Sequence, residues 1–280
     1  MSPLFDFTDY GALLGLVTNS LIAGALLGIV GGLIGFFVMA RDLPFAVHGI
    51  SELSFAGAAG ALLIGADVVA GSIVGSLVAA VLIALLGARA RERNSVIGVL
   101  MPFGLGLGIL FLAIHPGRSA NRFGLLTGQV VSVDTPQVFA LSAVAVVVLV
   151  GLVLIWRPLL FASVDEDVAT ARGVPVRALS LLFMVLLALT VSIAVQTVGA
   201  LLVLALLVTP AAAALRVASG PLAVSLLSMG FAVVSILGGI LLALGAAIPI
   251  SPYVTTISFA IYLVCRFLGA RTSRRVPLSP

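Results

Sequence analysis

The chain has 280 residues, of which 62% are apolar and only 9% are charged, a composition far outside the range of soluble globular domains. Its net charge of +4 rests on fourteen basic residues, all of them arginine, which are spread along the chain and so exclude a clustered nucleic-acid-binding face. Because the chain contains no lysine, it has no phosphate-binding loop of the Gly-x-x-x-x-Gly-Lys-Ser/Thr type, and any ATP that it uses must be bound by another subunit.

Apolar stretches long enough to cross a bilayer as helices follow one another along the chain. They lie at about 12–40, 45–65, 68–88, 95–115, 137–157, 178–197, 198–216, 222–246 and 252–269. Alternation of the strand type is absent, which disfavours a β-barrel. We therefore expect an all-α, polytopic transmembrane helix bundle of about nine spans, within a range of eight to ten, that forms a single domain over residues 1–280.

The second stretch contains a polar pair that we place deep in the membrane. Pro44 favours a helix start, so that His48 and Glu52, four residues apart, share one helix face. With Arg41 at the membrane edge, Glu52 lies about 16 Å into a hydrocarbon core of about 30 Å. A carboxylate at that depth costs about 2.5–3.5 kcal/mol on insertion scales. We therefore expect Glu52 to face a polar cavity or a cation.

An imidazole nitrogen and a carboxylate oxygen form a ligand set that suits a divalent transition metal, above all Zn²⁺, Mn²⁺ or Fe²⁺. Cys265 is the only cysteine, which excludes a Cys-based metal cluster. The alternative is purely structural, with Glu52 protonated and hydrogen-bonded and His48 a neutral imidazole. His115, before Pro116, is either an entry ligand or a helix-end residue that caps carbonyl groups.

The connection at residues 116–136 is a candidate docking site for an external partner, with a plain loop as the alternative.

The connection at residues 158–177 predicts a helix of two to three turns at 163–173, outside the bilayer. Ser163 begins a capping-box pattern and Gly173 offers a left-handed terminus. Charges that suit the helix dipole lie between them, at Asp165, Glu166, Asp167 and Arg172. Such a helix can receive force from a motor subunit; the alternative is an exposed loop.

The arginines also predict the orientation of the chain. When residues 270–280 are placed in the cytoplasm as a basic tail, counting back through the spans leaves only Arg118 and Arg122 on the outer side. This asymmetry supports a cytoplasmic C-terminus under the positive-inside rule.

Several short motifs, in order and with consistent spacing, match one family. They are Gly35-Phe-Phe-Val-Met-Ala-Arg41, Asn94-Ser-Val-Ile-Gly98, Asp165-Glu-Asp-Val-Ala169, Gly173-Val-Pro175, Leu189-Thr-Val, Val198-Gly-Ala-Leu-Leu-Val203 and Leu207-Val-Thr-Pro210-Ala-Ala. Over about residues 15–268 the chain resembles the membrane permease subunit of metal-ion ABC importers. This is the zinc, manganese and iron class, which is similar in architecture to cobalamin and siderophore permeases.

In that family the second span commonly carries Asp and, four residues on, His, which line the metal path at the dimer centre. His48 and Glu52 occupy the matching positions, with the order swapped and Asp replaced by Glu. The resemblance implies a homodimer, two cytosolic ATPase subunits on the helix at 163–173 and an extracytoplasmic metal-binding protein. It also implies a multi-pass location in the plasma membrane and a coupling role for Asp165, Glu166, Asp167, Arg172 and Gly173.

The sequence therefore predicts a transport subunit, not an enzyme, that forms the path of an ATP-driven Zn²⁺ or Mn²⁺ importer. We expect no cofactor on this chain, with ATP bound by a partner. One alternative is a proton-coupled secondary transporter in which Glu52 carries H⁺, for which inverted repeats and charges on several spans are expected. Another is a permease for a metal chelate such as a siderophore or cobalamin. An intramembrane protease is disfavoured, because His48-x-x-x-Glu52 is not His-Glu-x-x-His.

Overall fold

The computed structural model describes residues 17–87, 90–115, 133–244 and 250–273, and all regular structure within these ranges is helical. The helices are α1 Thr18–Ala40, α2 Pro44–Leu63, α3 Val68–Leu86, α4 Ala90–Ile114, α5 Thr135–Val164, α6 Glu166–Ala171, α7 Val176–Val198, α8 Ala200–Val217, α9 Pro221–Leu244 and α10 Ile250–Ser273. Within the described ranges, eight are long and apolar enough to span a membrane, and a shorter apolar helix covers Leu202–Val217. The predicted all-α bundle is confirmed.

Parts of several predicted segments lie outside the described residues. They include residues 116–132 of the connection proposed as an external docking site, residues 274–280 of the basic tail, residue 88 of the third predicted span and residues 245–246 of the eighth. Residues 12–16 of the first predicted span also fall outside them.

One end of the bundle, here called the arginine end, collects the described arginine side chains. It is the end at which α1, α3, α5, α8 and α10 finish. Contacts between helix termini define it: Arg93 Nη2 donates to the Asp42 carbonyl at 3.4 Å, and Gly269 lies against the Arg216 backbone. At the opposite end, Asn19 donates to the Val133 carbonyl at 3.3 Å. The arginine end carries Arg41, Arg93, Arg157, Arg172, Arg177, Arg216 and Arg266.

Glycines set the closest helix contacts. A Cβ atom on Gly57 of α2 would overlap the carbonyl oxygen of Gly71 in α3, and one on Gly75 would overlap the Leu53 carbonyl oxygen. On α4, a Cβ on Gly104 would lie 2.6 Å from Leu53 Cδ1. Small residues let helix backbones approach closely in lipid. Glycines spaced by four along α3 and α4 therefore pack both helices onto α2.

The end of α5 differs from the sequence-based boundary. The predicted span stops near residue 157, but α5 continues through Pro158 to Val164. Proline removes one helical hydrogen bond, yet the buried stripe of Ile155, Leu159 and Ala162 continues past it. Burial of this stripe keeps the chain helical for seven residues that sequence reasoning assigned to the connection.

We predict that Gly57→Ala lowers the stability of the bundle by about 1–3 kcal/mol. The added methyl group would meet backbone atoms of Gly71, which cannot rotate away as a side chain can. Thermal unfolding of the purified protein in detergent measures the effect. Gly106→Ala is the matched control, because no atom outside its own helix backbone lies within 4 Å of the added group. Equal unfolding midpoints for the two variants would contradict the contact.

Candidate functional site

His48 and Glu52 lie on α2, which begins at Pro44 after a short turn from α1. Pro44 occupies the first helical position, where its missing N–H leaves no extra unsatisfied group. Glu52 lies about 12 Å along the helix from Pro44, near the midpoint of its 20 residues. The two side chains, four residues apart, share one helix face as expected.

The two side chains of the pair differ in exposure. The Glu52 side chain is 3% exposed, whereas that of His48 is 26% exposed. His48 Nε2 lies 3.7 Å from Glu52 Oε1, which is too long for a hydrogen bond. Neither Glu52 Oε2 nor His48 Nδ1 has a hydrogen-bond partner among the described residues. Buried polar atoms normally have partners, so this pair retains unused capacity to bind a cation.

The donor set fits a metal ion only in part. Within the described ranges, no group of three or more His, Cys, Asp or Glu side chains could hold a metal ion. One chain therefore offers the imidazole and the carboxylate of the pair, whereas a structural zinc site has four protein ligands. A metal ion bound by this pair would need its remaining ligands from water or from a second copy of the chain.

Glu52 is enclosed by protein within the single chain. A cavity between α3, α5 and α7 lies elsewhere, toward the end of the bundle opposite the arginine end. Its lining includes Val69, Val133, Gln137, Gln196 and Thr197. The expectation that Glu52 faces a polar cavity or a cation therefore stays a prediction, as does the metal-binding role of the pair.

Gly104 of α4 belongs to the surroundings of Glu52. A Cβ atom on Gly104 would lie 3.0 Å from the Glu52 carbonyl carbon, so α4 passes directly against the backbone of α2 at this residue. The spacing of Gly104 and Gly108 is a visible signal of close packing. The spacing alone does not reveal which helix they face.

The predicted cytosolic helix is present but shorter, and its N-cap differs. It spans Glu166–Ala171 instead of 163–173, and Asp165 is its N-cap, with Oδ1 accepting from the Val168 N–H at 2.9 Å. The proposed capping role of Ser163 is wrong, because Ser163 Oγ donates to the Leu159 carbonyl within the last turn of α5. The continuation of α5 to Val164 moves the cap two residues along the chain.

The end of α6 follows the prediction. Gly173 has φ 82°, a left-handed conformation that glycine adopts without strain. Arg172 is the C-cap, and its N–H donates to the Val168 carbonyl at 3.1 Å. Ala169 is buried, while Glu166, Asp167 and Arg172 are exposed. The helix thus presents a charged surface at the arginine end, and its binding of an ATPase stays a prediction.

We predict that Asp165→Ala loosens α6, because loss of an N-cap acceptor costs about 1 kcal/mol. Hydrogen exchange of the backbone amides at 166–171 should become faster in this variant. Asp165→Asn is the matched control, since the amide oxygen can still accept from the Val168 N–H. Wild-type exchange in Asp165→Ala would show that the cap does not hold the helix.

Comparison with known proteins gives consistent matches along nearly the whole chain. The sequence pattern of the ABC 3 transport family matches residues 14–269. The chain is 31% identical over 241 residues to the manganese transport system membrane protein MntC of Halalkalibacterium halodurans, covering 86% of this chain and 82% of the relative. It is 30% identical over 270 residues to the manganese import system permease protein ScaB of Streptococcus pneumoniae, covering 94% of each.

A solved structure agrees with these sequence matches. A chain in the structure of PsaBC from Streptococcus pneumoniae in complex with Fab aligns with a TM-score of 0.83 at 28% identity. The alignment covers 93% of this chain and 95% of that one. The family match includes both α2 and α6.

Proposed function

Because this chain belongs to the ABC 3 transport family, we propose that it forms the membrane path of an ATP-driven importer of a divalent metal ion, manganese or zinc. The His48–Glu52 pair, with its buried carboxylate and partnerless polar atoms in the middle of α2, is the observation that carries this proposal. An ionisable pair at such depth has a functional role by default. The names of the two manganese-transport relatives favour Mn²⁺ as the substrate.

The number of donors suits transport better than storage. Each chain would offer the ion one imidazole nitrogen and carboxylate oxygens, and a homodimer would bring two such pairs to the shared axis. An extracytoplasmic metal-binding protein would deliver the ion to this path. Conduction needs binding that is favourable enough to admit an ion and weak enough to release it. A pair with two donors in each chain meets that need, whereas a closed cage of protein ligands would retain zinc.

The energy source lies on other chains in this proposal. ATP would be bound and hydrolysed by two cytosolic subunits docked on α6, whose contact residues would be Asp165, Glu166, Asp167, Arg172 and Gly173. Movement of α6 would then switch access to the metal path. In this proposal the chain lies in the plasma membrane. Its arginine end and its C-terminus lie in the cytoplasm, in line with the positive-inside rule.

The competing functions account less well for the pair. ABC transporters run on ATP, so membership of the family disfavours a secondary transporter in which Glu52 carries a proton. A permease for a bulky metal chelate has no need for an imidazole and a carboxylate in its centre, because the chelator already provides the ligands of the metal. Transport of the free ion uses both side chains.

We predict that Glu52→Gln lowers Mn²⁺ uptake by about tenfold or more, since even indirect partners of metal ligands act on that scale. The substitution keeps the size of the side chain and removes its charge, so expression and assembly should be unchanged. Uptake into vesicles that contain the assembled complex is the measurement. Glu92→Gln, at an exposed carboxylate in the first turn of α4, is the control and should transport normally. Normal uptake by Glu52→Gln would remove Glu52 from the path.

We also predict that divalent metal, supplied with the binding protein, stimulates ATP hydrolysis by the assembled complex. Titration with Mn²⁺ and Zn²⁺ in separate samples should show which ion acts at the lower concentration, and we expect Mn²⁺. Metal uptake driven by a proton gradient in the absence of ATP would instead support the secondary transporter.

A further inference from the structure

Arg41 lies in the short turn that joins α1 to α2. Its N–H donates to the Phe37 carbonyl at 3.0 Å, and the Leu43 N–H donates to the Val38 carbonyl at 2.9 Å. Asp42 between them has φ 53°, in the left-handed region that few non-glycine residues adopt. The turn is thus bonded to the last turn of α1 and leads directly into Pro44. The turn thus gives Arg41 a direct structural connection to the first residues of α2.

The Arg41 guanidinium reaches both helices that flank α6 in the chain. Nη1 donates to Ser163 Oγ at 3.4 Å, and Ser163 lies in the last turn of α5. Nη2 donates to Ser180 Oγ, near the start of α7. A single side chain therefore bridges the two helix ends between which α6 is held.

Charge and aromatic contacts reinforce this bridge. The Arg41 guanidinium carbon lies 5.9 Å from the centroid of the Phe183 ring, within the range of a cation–π interaction. Burial lowers the pKa of Arg41, and the nearby Glu166 carboxylate opposes that shift, while an arginine in a protein stays protonated in either case. Glu166 is the first residue of α6, so a charge on α6 attracts the guanidinium from beyond ion-pair distance.

Helix packing alone connects α6 to the start of α2 only weakly, and Arg41 adds a connection between them. The main helix contacts of α6 are with α5 and α7, and α1 and α2 contact each other little. We propose that Arg41 is the positioning residue that couples movement of α6 to the start of α2, and so to His48 seven residues further on. The proposal rests on the proposed function, because only a complex driven through α6 has a movement to transmit.

The test uses the complete complex in liposomes, with Mn²⁺ uptake and ATP hydrolysis measured on the same vesicles. Arg41→Gln should still hydrolyse ATP, while the Mn²⁺ imported per ATP falls at least about fivefold, the lower range of allosteric coupling. A purely structural role would reduce both rates in proportion to the amount of folded protein and leave their ratio unchanged. The ratio therefore separates coupling from stability.

A second variant covers the case in which Arg41→Gln fails to assemble. Ser163→Ala combined with Ser180→Ala removes both hydroxyl acceptors and keeps the arginine, and it should lower the same ratio. Arg177→Gln is the matched control, because Arg177 is exposed in the first turn of α7 and should retain the wild-type ratio.

The outcomes distinguish this proposal from the one on which it rests. A wild-type ratio in the serine double variant, and in Arg41→Gln where it assembles, would overturn the role of Arg41. It would leave the direct packing of α7 on α2 as the route. A wild-type complex that imports neither Mn²⁺ nor Zn²⁺ and responds to neither ion would overturn the proposed function, and the coupling role with it.

Discussion

The close approach of α2 to α3 and α4 is the constraint on which the rest of the structure depends. Lipid is as apolar as the side chains, so helices in a membrane associate through tight van der Waals packing. Gly57 and Gly75 bring the backbones of α2 and α3 together, and Gly104 does the same between α2 and α4. The position of α2 is therefore set by backbone contacts that leave little freedom. The side chains on its remaining face are held in fixed positions as a result.

Glu52 owes its burial to this packing. The α4 backbone lies against it at Gly104, and one of its carboxylate oxygens has no partner among the described residues. An isolated buried charge is strongly unfavourable unless it is neutralised or paired. His48 lies one helical turn away on the same helix face and is partly exposed. The pair therefore extends from the buried Glu52 carboxylate to the surface of the chain. A rigid scaffold thus holds an unsatisfied polar pair, in line with the proposed brief binding of a cation.

The sequence predicted most of the helices, because a bilayer demands apolar stretches of a certain length. It also predicted the end of α6, since Gly173 and Pro175 act locally. The N-cap was missed for a non-local reason: Ser163 and Asp165 are both good caps, and burial of Leu159 and Ala162 decides where α5 stops. The partners of Arg41 were equally invisible, because Ser163 and Ser180 lie more than 100 residues away in the chain.

The short α6 helix is attached to the bundle through Ala169, its one buried residue among the six. Substitution of exposed side chains of α6 other than Glu166 changes fold stability little, so a protein that recognises them reads positions that the membrane bundle does not require. Substitutions on this small patch can therefore change the affinity for a docking partner, or the partner itself, while the membrane-spanning helices stay the same. In the proposed importer, the fold would separate the evolution of partner choice from that of the transported ion.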